Sequence, residues 1–217
     1  MAFYITPSGV HRIASGIEEK EEACEKIVSS QTTLIIDTLT NQWASEHANA
    51  FSKEVGASVR GMYDWACSAT ADICNYTTNI IKQYEQEEGN YCPPLYVTAV
   101  PYPQNELDTG TPTTLPDGES IGVAEGNTVT NVFNTLNEYF TKIADAYKDY
   151  MSGVVDVIRD SGAFDEHTVS HCSSVARRAS LAFDAELESC KNACKSRTDA
   201  EMDSKNATHQ RMTGDQA

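Results

Sequence analysis

An apolar stripe that runs without a break from Ala48 to Ile80 limits most sharply what this chain can fold into. Ala48, Phe51, Val55, Val59, Met62, Ala66, Ala69, Ile73, Tyr76 and Ile80 recur at spacings of three and four, which puts all of them on one face of a helix. A strand would need an alternation of two, so the pattern predicts a helix over 45–87. Held for more than four heptads, such a stripe is a coiled-coil-like seam. At ~1.5 Å per residue this helix would be roughly 60 Å long, and its apolar face needs other helices to cover it.

The covering elements are legible on both sides. Upstream, Val10, Ala14, Ile17, Cys24, Val28, Gln31 and Ile35 predict a helix over 10–39, with Ile13, Ile27 and Leu34 widening its stripe. Glu18 to Glu25, with Lys20 and Lys26 among them, are expected to form its solvated face. Between the two helices lies Asn41-Gln-Trp43-Ala-Ser45, where Ser45 can cap the second helix and Trp43 can plug the end of the seam, with Phe51 on the buried face two turns on. Downstream, helical pattern resumes at Asn127, and Val129, Phe133, Leu136, Phe140, Ile143, Tyr147, Tyr150, Val154 and Val157 face inward. A second corner follows at Arg159 to Phe164, with Gly162 where a helix stop wants it. The last helix is expected from Asp165 to Glu201, with Val169, Cys172, Ala176, Ala179, Phe183, Leu187, Cys190 and Cys194 inward, and a frayed polar tail after Asp203.

The second half reads as a degenerate copy of the first. An offset of 119 carries the first stripe onto the third, and an offset of 121 carries Trp43 onto Phe164 and the second stripe onto the fourth. Agreement in order, in length and in an aromatic at each corner indicates tandem hairpins. The expected fold is therefore all-α: two antiparallel helical hairpins packed as an elongated four-helix bundle. The segments are a hairpin over 9–88, a linker over 89–126, a second hairpin over 127–202 and a tail over 203–217. The linker holds six of the chain's seven prolines and five acids with no base. Its first part, Tyr91 to Tyr102, is apolar enough to lie extended against the bundle, and 104–120 is expected to be mobile.

Trp43-Ala44-Ser45, followed by Ala50-Phe51, resembles the Trp-x-Gly turn of the small WXG proteins, the early-secreted-antigen type substrates of bacterial type VII secretion. Ser45 stands where that family has Gly, and the likeness covers residues 9 to 88, with a weaker copy after them. Tyr84-Glu-Gln-Glu-Glu88 is similar to the Tyr-x-x-x-Asp/Glu signal that follows the second helix in some of those substrates. The resemblance implies a non-enzymatic secretion substrate or targeting partner that works through helix–helix contacts with the secretion machinery and with a co-secreted helical or toxin partner. The alternative reading is a cytosolic helical adaptor or chaperone for a toxin or other client protein. Family members reach four helices by pairing two hairpin subunits. Here one chain supplies both, so a monomer with intramolecular pairing is expected.

Charge and chemistry narrow the alternatives. With 32 acids against 16 Lys and Arg the net charge is −16, and a phosphate backbone needs the opposite sign. The acids crowd the first hairpin, 13 against 6 bases, where the second is nearly balanced at 10 against 8. No run of 18 apolar residues is present to span a membrane, and the start, Met1 to Pro7, lacks the basic and apolar regions of a cleavable signal peptide. Export without cleavage, or residence in the cytoplasm before export, is the expected localisation. The seven cysteines contain no C-x-x-C pair and are read as reduced core thiols, with disulfides formed after export as the alternative. His167 and His171 share a helical face, but two ligands do not make a metal site, and they are read as exposed first-turn residues. Asn75-Tyr-Thr77 and Asn206-Ala-Thr208 match the glycosylation sequon and are read as incidental. No phosphate loop or nucleophile–base pattern occurs, so no enzyme activity, cofactor or metal is expected.

Overall fold

The computed structural model describes residues 5–99, 102, 122–123 and 129–214. The expected start of the third helix at Asn127 and the linker segment 104–120 lie outside these residues. The described chain is all-α, built on α1 (Pro7–Asn41), α2 (Glu46–Glu88), α3 (Val129–Asp160) and α4 (Glu166–Gly214). A two-residue pairing of β1 (Trp43–Ala44) with β2 (Gly122–Val123) joins the first corner to the linker, antiparallel, with Trp43 opposite Val123 and Ala44 opposite Gly122.

Local chemistry sets the helix ends. Thr6 starts α1: its Oγ1 accepts from the Gly9 N–H at 3.0 Å, and Pro7 supplies a first-turn residue that needs no N–H partner. Ser45 Oγ accepts from the Ala48 N–H at 3.2 Å and opens α2. Gly89, at φ 70°, stops α2 by donating to the Glu85 carbonyl at 2.9 Å. Gly162, at φ 63°, does the same for α3 on the Arg159 carbonyl at 3.1 Å, and Asp165 Oδ1 then caps α4 through the Thr168 N–H at 2.8 Å. That hydrogen-bonding holds the Asp165 carboxyl below its ordinary value.

The four helices divide between two compact units, each of which contains a segment of every helix. The first unit holds Met1–Val28, Gly61–Tyr102 and Ala144–Ala185. Its core is made by Ile17, Cys24, Ile73, Ile81, Tyr147, Met151, Ile158 and Phe183, contributed by all four helices. Tyr147 and Phe183 join α3 to α4 with ring centroids 5.6 Å apart, and Thr70 and Tyr150 join α2 to α3 through a 2.8 Å hydroxyl pair. Tyr76 stacks on His171 at 3.8 Å and joins α2 to α4. The segment after α2 lies extended on this unit, as its apolar content predicts. Cys92 and Leu95 are buried there, and Leu95 exchanges hydrogen bonds with the Thr78 hydroxyl at 3.0 and 3.3 Å.

The second unit holds Ser29–Arg60, Pro103–Ile143 and Glu186–Ala217. Ile35, Leu39, Trp43, Phe51, Val55, Leu136, Phe140, Leu187 and Cys194 make its core. Phe51 meets Phe140 edge-on at 5.7 Å, and Arg197 reaches across from α4 to Glu54 on α2 at 2.5 Å. In each unit, one chain therefore supplies both hairpins of a four-helix bundle.

The stripes differ from expectation in a regular way. Toward helix C-termini burial moves one residue later, from Ile80 to Ile81 and from Val157 to Ile158; at the start of α3 it moves one earlier, from Phe133 to Val132. A strict seven-residue repeat implies 3.5 residues per turn, and an α-helix with 3.6 drifts off it in this direction at both ends. Three further expectations are corrected. Ile27 and Leu34 do not widen the stripe of α1, being 45% and 38% exposed. Glu21 is not on a solvated face: it is 7% exposed, and Glu25 is half-buried. The tail after Asp203 is not frayed, because α4 continues to Gly214.

Candidate functional site

The first corner is assembled from four parts of the sequence within the second unit. Ser45 fixes the entry of α2, which aims Phe51 back under the corner, and Trp43 lies over it with ring centroids 5.9 Å apart. The Trp43 side chain is 0% exposed. Its indole Nε1–H donates to Glu201 Oε2 of α4 at 3.3 Å, and its backbone pairs with Val123. Trp43, Ser45 and Phe51 are thus brought together as the sequence predicts. Glu201, itself buried, is the hydrogen-bond partner of Trp43 that sequence reasoning missed. A signal was present, since Cys194, Thr198 and Glu201 continue the spacing of four and three beyond the stripe that ended at Cys194.

Phe164 is buried at the second corner beside Gly162, in the place that Trp43 occupies at the first. The means differ: Gly162 turns the chain in a left-handed conformation, and Asp165 rather than a serine caps the next helix. Tyr84 and Glu88 lie in the last turns of α2, in the other compact unit from Trp43. Tyr84 is half-buried and Glu88 exposed, and Gly89 ends the helix directly after them.

The two histidines stay apart in role. His167 is exposed in the first turn of α4, and His171, one turn on, is stacked flat against Tyr76 with an interplanar angle of 18°. Among the described residues no group of three or more His, Cys, Asp or Glu side chains converges as a metal would require. The cysteines are free thiols, all buried except the half-buried Cys67. Burial pushes Cys172 and Cys190 up to about 11 and Cys74 and Cys194 to about 12, so these sulfurs stay protonated and pack as small hydrophobes.

A second concentration of polar chemistry lies in the first unit, on α1. Glu21 and Glu25 are one turn apart and face inward beside Cys24, the Tyr63 and Cys67 side chains of α2 and Tyr147 of α3. Burial first, and then the charge of Glu21, raise the Glu25 carboxyl to about 7, with the nearby Tyr147 hydroxyl acting in the opposite direction. Burial likewise raises the Tyr147 and Tyr150 hydroxyls, with the nearby carboxylates adding to it. Glu21 sits within the one interval of seven in the α1 stripe, between Ile17 and Cys24, and Glu25 directly follows Cys24.

No protein-family model matches the chain, and no curated protein or solved structure gives a significant match.

Proposed function

We propose that the chain is a non-enzymatic substrate or targeting partner of a type VII secretion system, acting through helix–helix contacts. The observation that carries this reading is the first corner. A Trp-x-Ser turn sits between two long helices, with its Trp closing the seam over Phe51. The placement of Tyr84 to Glu88 at the end of the following helix supports it, because a tyrosine and an acid one turn apart share a helix face beside a defined stop. Since both hairpins come from one chain, the protein on this reading is a monomer before it meets the machinery. Its partners are the secretion apparatus and a co-secreted helical or toxin protein.

The buried indole also assigns roles. A partner cannot touch a side chain with no exposed surface, so Trp43 shapes the corner while the half-buried Tyr84 and exposed Glu88 offer the contact surface. In cells with an active system, the intact protein is expected in the medium, and inactivating the secretion ATPase should keep it inside. Tyr84→Ala should lower export without unfolding the protein, since the last turn of a helix carries few contacts. Retention of the wild type in the cytosol of such cells refutes the reading. It favours instead a cytosolic adaptor or chaperone for a toxin or other client, for which the exposed Trp65 and Leu181 would offer apolar contact.

A further inference from the structure

The first unit holds a cavity of ≈190 Å³ that neither corner uses. Its walls come from α1, α2 and α3, and its roof is the extended segment from Leu95 to Ala99. One hydroxyl latches that roof: Thr78 Oγ1 accepts from the Leu95 N–H at 3.0 Å and donates to the Leu95 carbonyl at 3.3 Å. Because the roof has no regular secondary structure, it can lift to admit a guest without breaking a helix.

Most of the wall is apolar and uncharged. Ala71, Leu95 and Val97 are hydrocarbon, and Cys67 and Cys74 join them as thiols that burial holds protonated. Set into this wall are the Thr70 and Tyr150 hydroxyls, 2.8 Å apart, on side chains only 7% and 5% exposed. Each hydroxyl carries one proton, and the hydrogen bond between them uses one of the two. Among the described residues neither makes a second hydrogen bond. Whichever of the pair donates to the other, one buried O–H remains at the cavity with no acceptor, and such a group is costly to leave unmatched. Water can take that bond but gains nothing from the hydrocarbon around it. A guest with an acceptor oxygen on a hydrocarbon body satisfies both.

We propose that this cavity is a binding site for a small neutral carbonyl compound, its oxygen accepting from the Thr70–Tyr150 pair and its hydrocarbon part lying among Leu95, Val97 and Cys67. A cavity of about 150 Å³ holds benzene, so the guest has roughly six to eight non-hydrogen atoms. A neutral guest makes no demand on the ionisation of Glu21, the one acid on the wall. The proposal is independent of the secretion reading and stands or falls without it.

Cyclohexanone, and methylenecyclohexane as its hydrocarbon counterpart of equal shape, test it by amide chemical-shift titration of the full chain. Cyclohexanone is expected to saturate one site, with shift changes centred on Leu95 to Ala99 and on the Cys67–Cys74 face of α2. The double variant Thr70→Val, Tyr150→Phe removes both hydroxyls and keeps the shape, a change the fold tolerates because neither partner is left alone. In it the affinity for the ketone should fall about threefold to tenfold while that for the hydrocarbon holds. Cys67→Leu, whose larger side chain takes up space in the wall, should weaken both ligands. Far-UV circular dichroism checks that each variant is folded. No saturable binding of cyclohexanone, shift changes centred elsewhere, an undiminished ketone affinity or an equal loss for both ligands in the folded double variant, or undiminished binding by Cys67→Leu overturns the proposal.

Discussion

Removing the charge at Glu25 should stabilise the protein above neutral pH and leave it unchanged in acid. Glu25 is half-buried on α1, faces Tyr63 and Cys67 of α2 and Tyr147 of α3, and has Glu21 one turn away. Its carboxyl is raised from 4.5 to about 7, so the folded state resists an ionisation that the unfolded chain undergoes freely. The resulting destabilisation is absent below pH 4.5, grows as the pH rises toward 7 and is complete above it. At about 1.4 kcal/mol per pH unit the displacement has a ceiling of roughly 3 kcal/mol. Solvent reaching the half-exposed side of the carboxyl reduces this to about 1–2 kcal/mol. Glu25→Gln keeps the shape and removes the charge. Urea unfolding of both proteins at pH 4.5 and pH 8 should give equal midpoints at the lower pH and a gain of that size at the higher. Taking the difference between variants cancels the titration of the other acids. An equal gain at both pH values, or a loss at pH 8, would refute the argument that charge at this position opposes folding.

Trp43→Ala should cost about 3–5 kcal/mol as a large-to-small change in a closed core. Trp43→Phe should cost less, about 1–3 kcal/mol, because it keeps the ring and deprives the buried Glu201 carboxylate of its donor; thermal melts check both. Gly16→Ala should lose about 1–3 kcal/mol, since its Cβ would lie 3.1 Å and 3.3 Å from the methyls of Val157, a β-branched side chain that cannot turn away. Gly162→Ala meets nothing within 4 Å and should cost about 1–2 kcal/mol through its positive φ alone, so only the first loss should shrink in a Val157→Ala background. The full chain should sediment as a helical monomer, whereas a fragment of residues 1–90 should associate or unfold with its seam in water; a helical monomeric fragment would refute intramolecular pairing.

The helices, their corners and the capping residues were legible because each depends on spacing or on a residue within a few positions. The inward stripes, Ser45 at the start of α2 and Gly162 at the end of α3 are local in this sense. What was not legible depends on the third dimension. A glutamate between Ile17 and Cys24 reads as part of a charged run, and only the packing of α2 and α3 around it shows that Glu21 is inside. Glu201 stood just beyond the last apolar residue of its stripe, so a rule that follows hydrophobic side chains stopped one contact short of Trp43. The β1–β2 pairing escaped for a related reason. Two residues carry no periodicity, and the partner strand lies far along the chain, with Val123 opposite Trp43 and Gly122 opposite Ala44.

The difference between the two corners bears on what a binding partner can recognise. At the second corner the hydrogen bonding of Gly162 and Asp165 is local, to Arg159 and Thr168 of the same hairpin. At the first corner it is not. Its tryptophan needs a hydrogen-bond acceptor from the far end of α4 and a backbone partner from the linker. Trp43 therefore reports on whether the second hairpin is in place, although its own hairpin supplies the capping serine and Phe51. If the corner is read during export, what is read is the shape that this closure gives to the exposed residues around it, because the indole itself is covered. On that argument Glu201→Ala, a change more than a hundred residues away in sequence, should disturb recognition in the same direction as Trp43→Phe, while Phe164→Leu at the second corner should not.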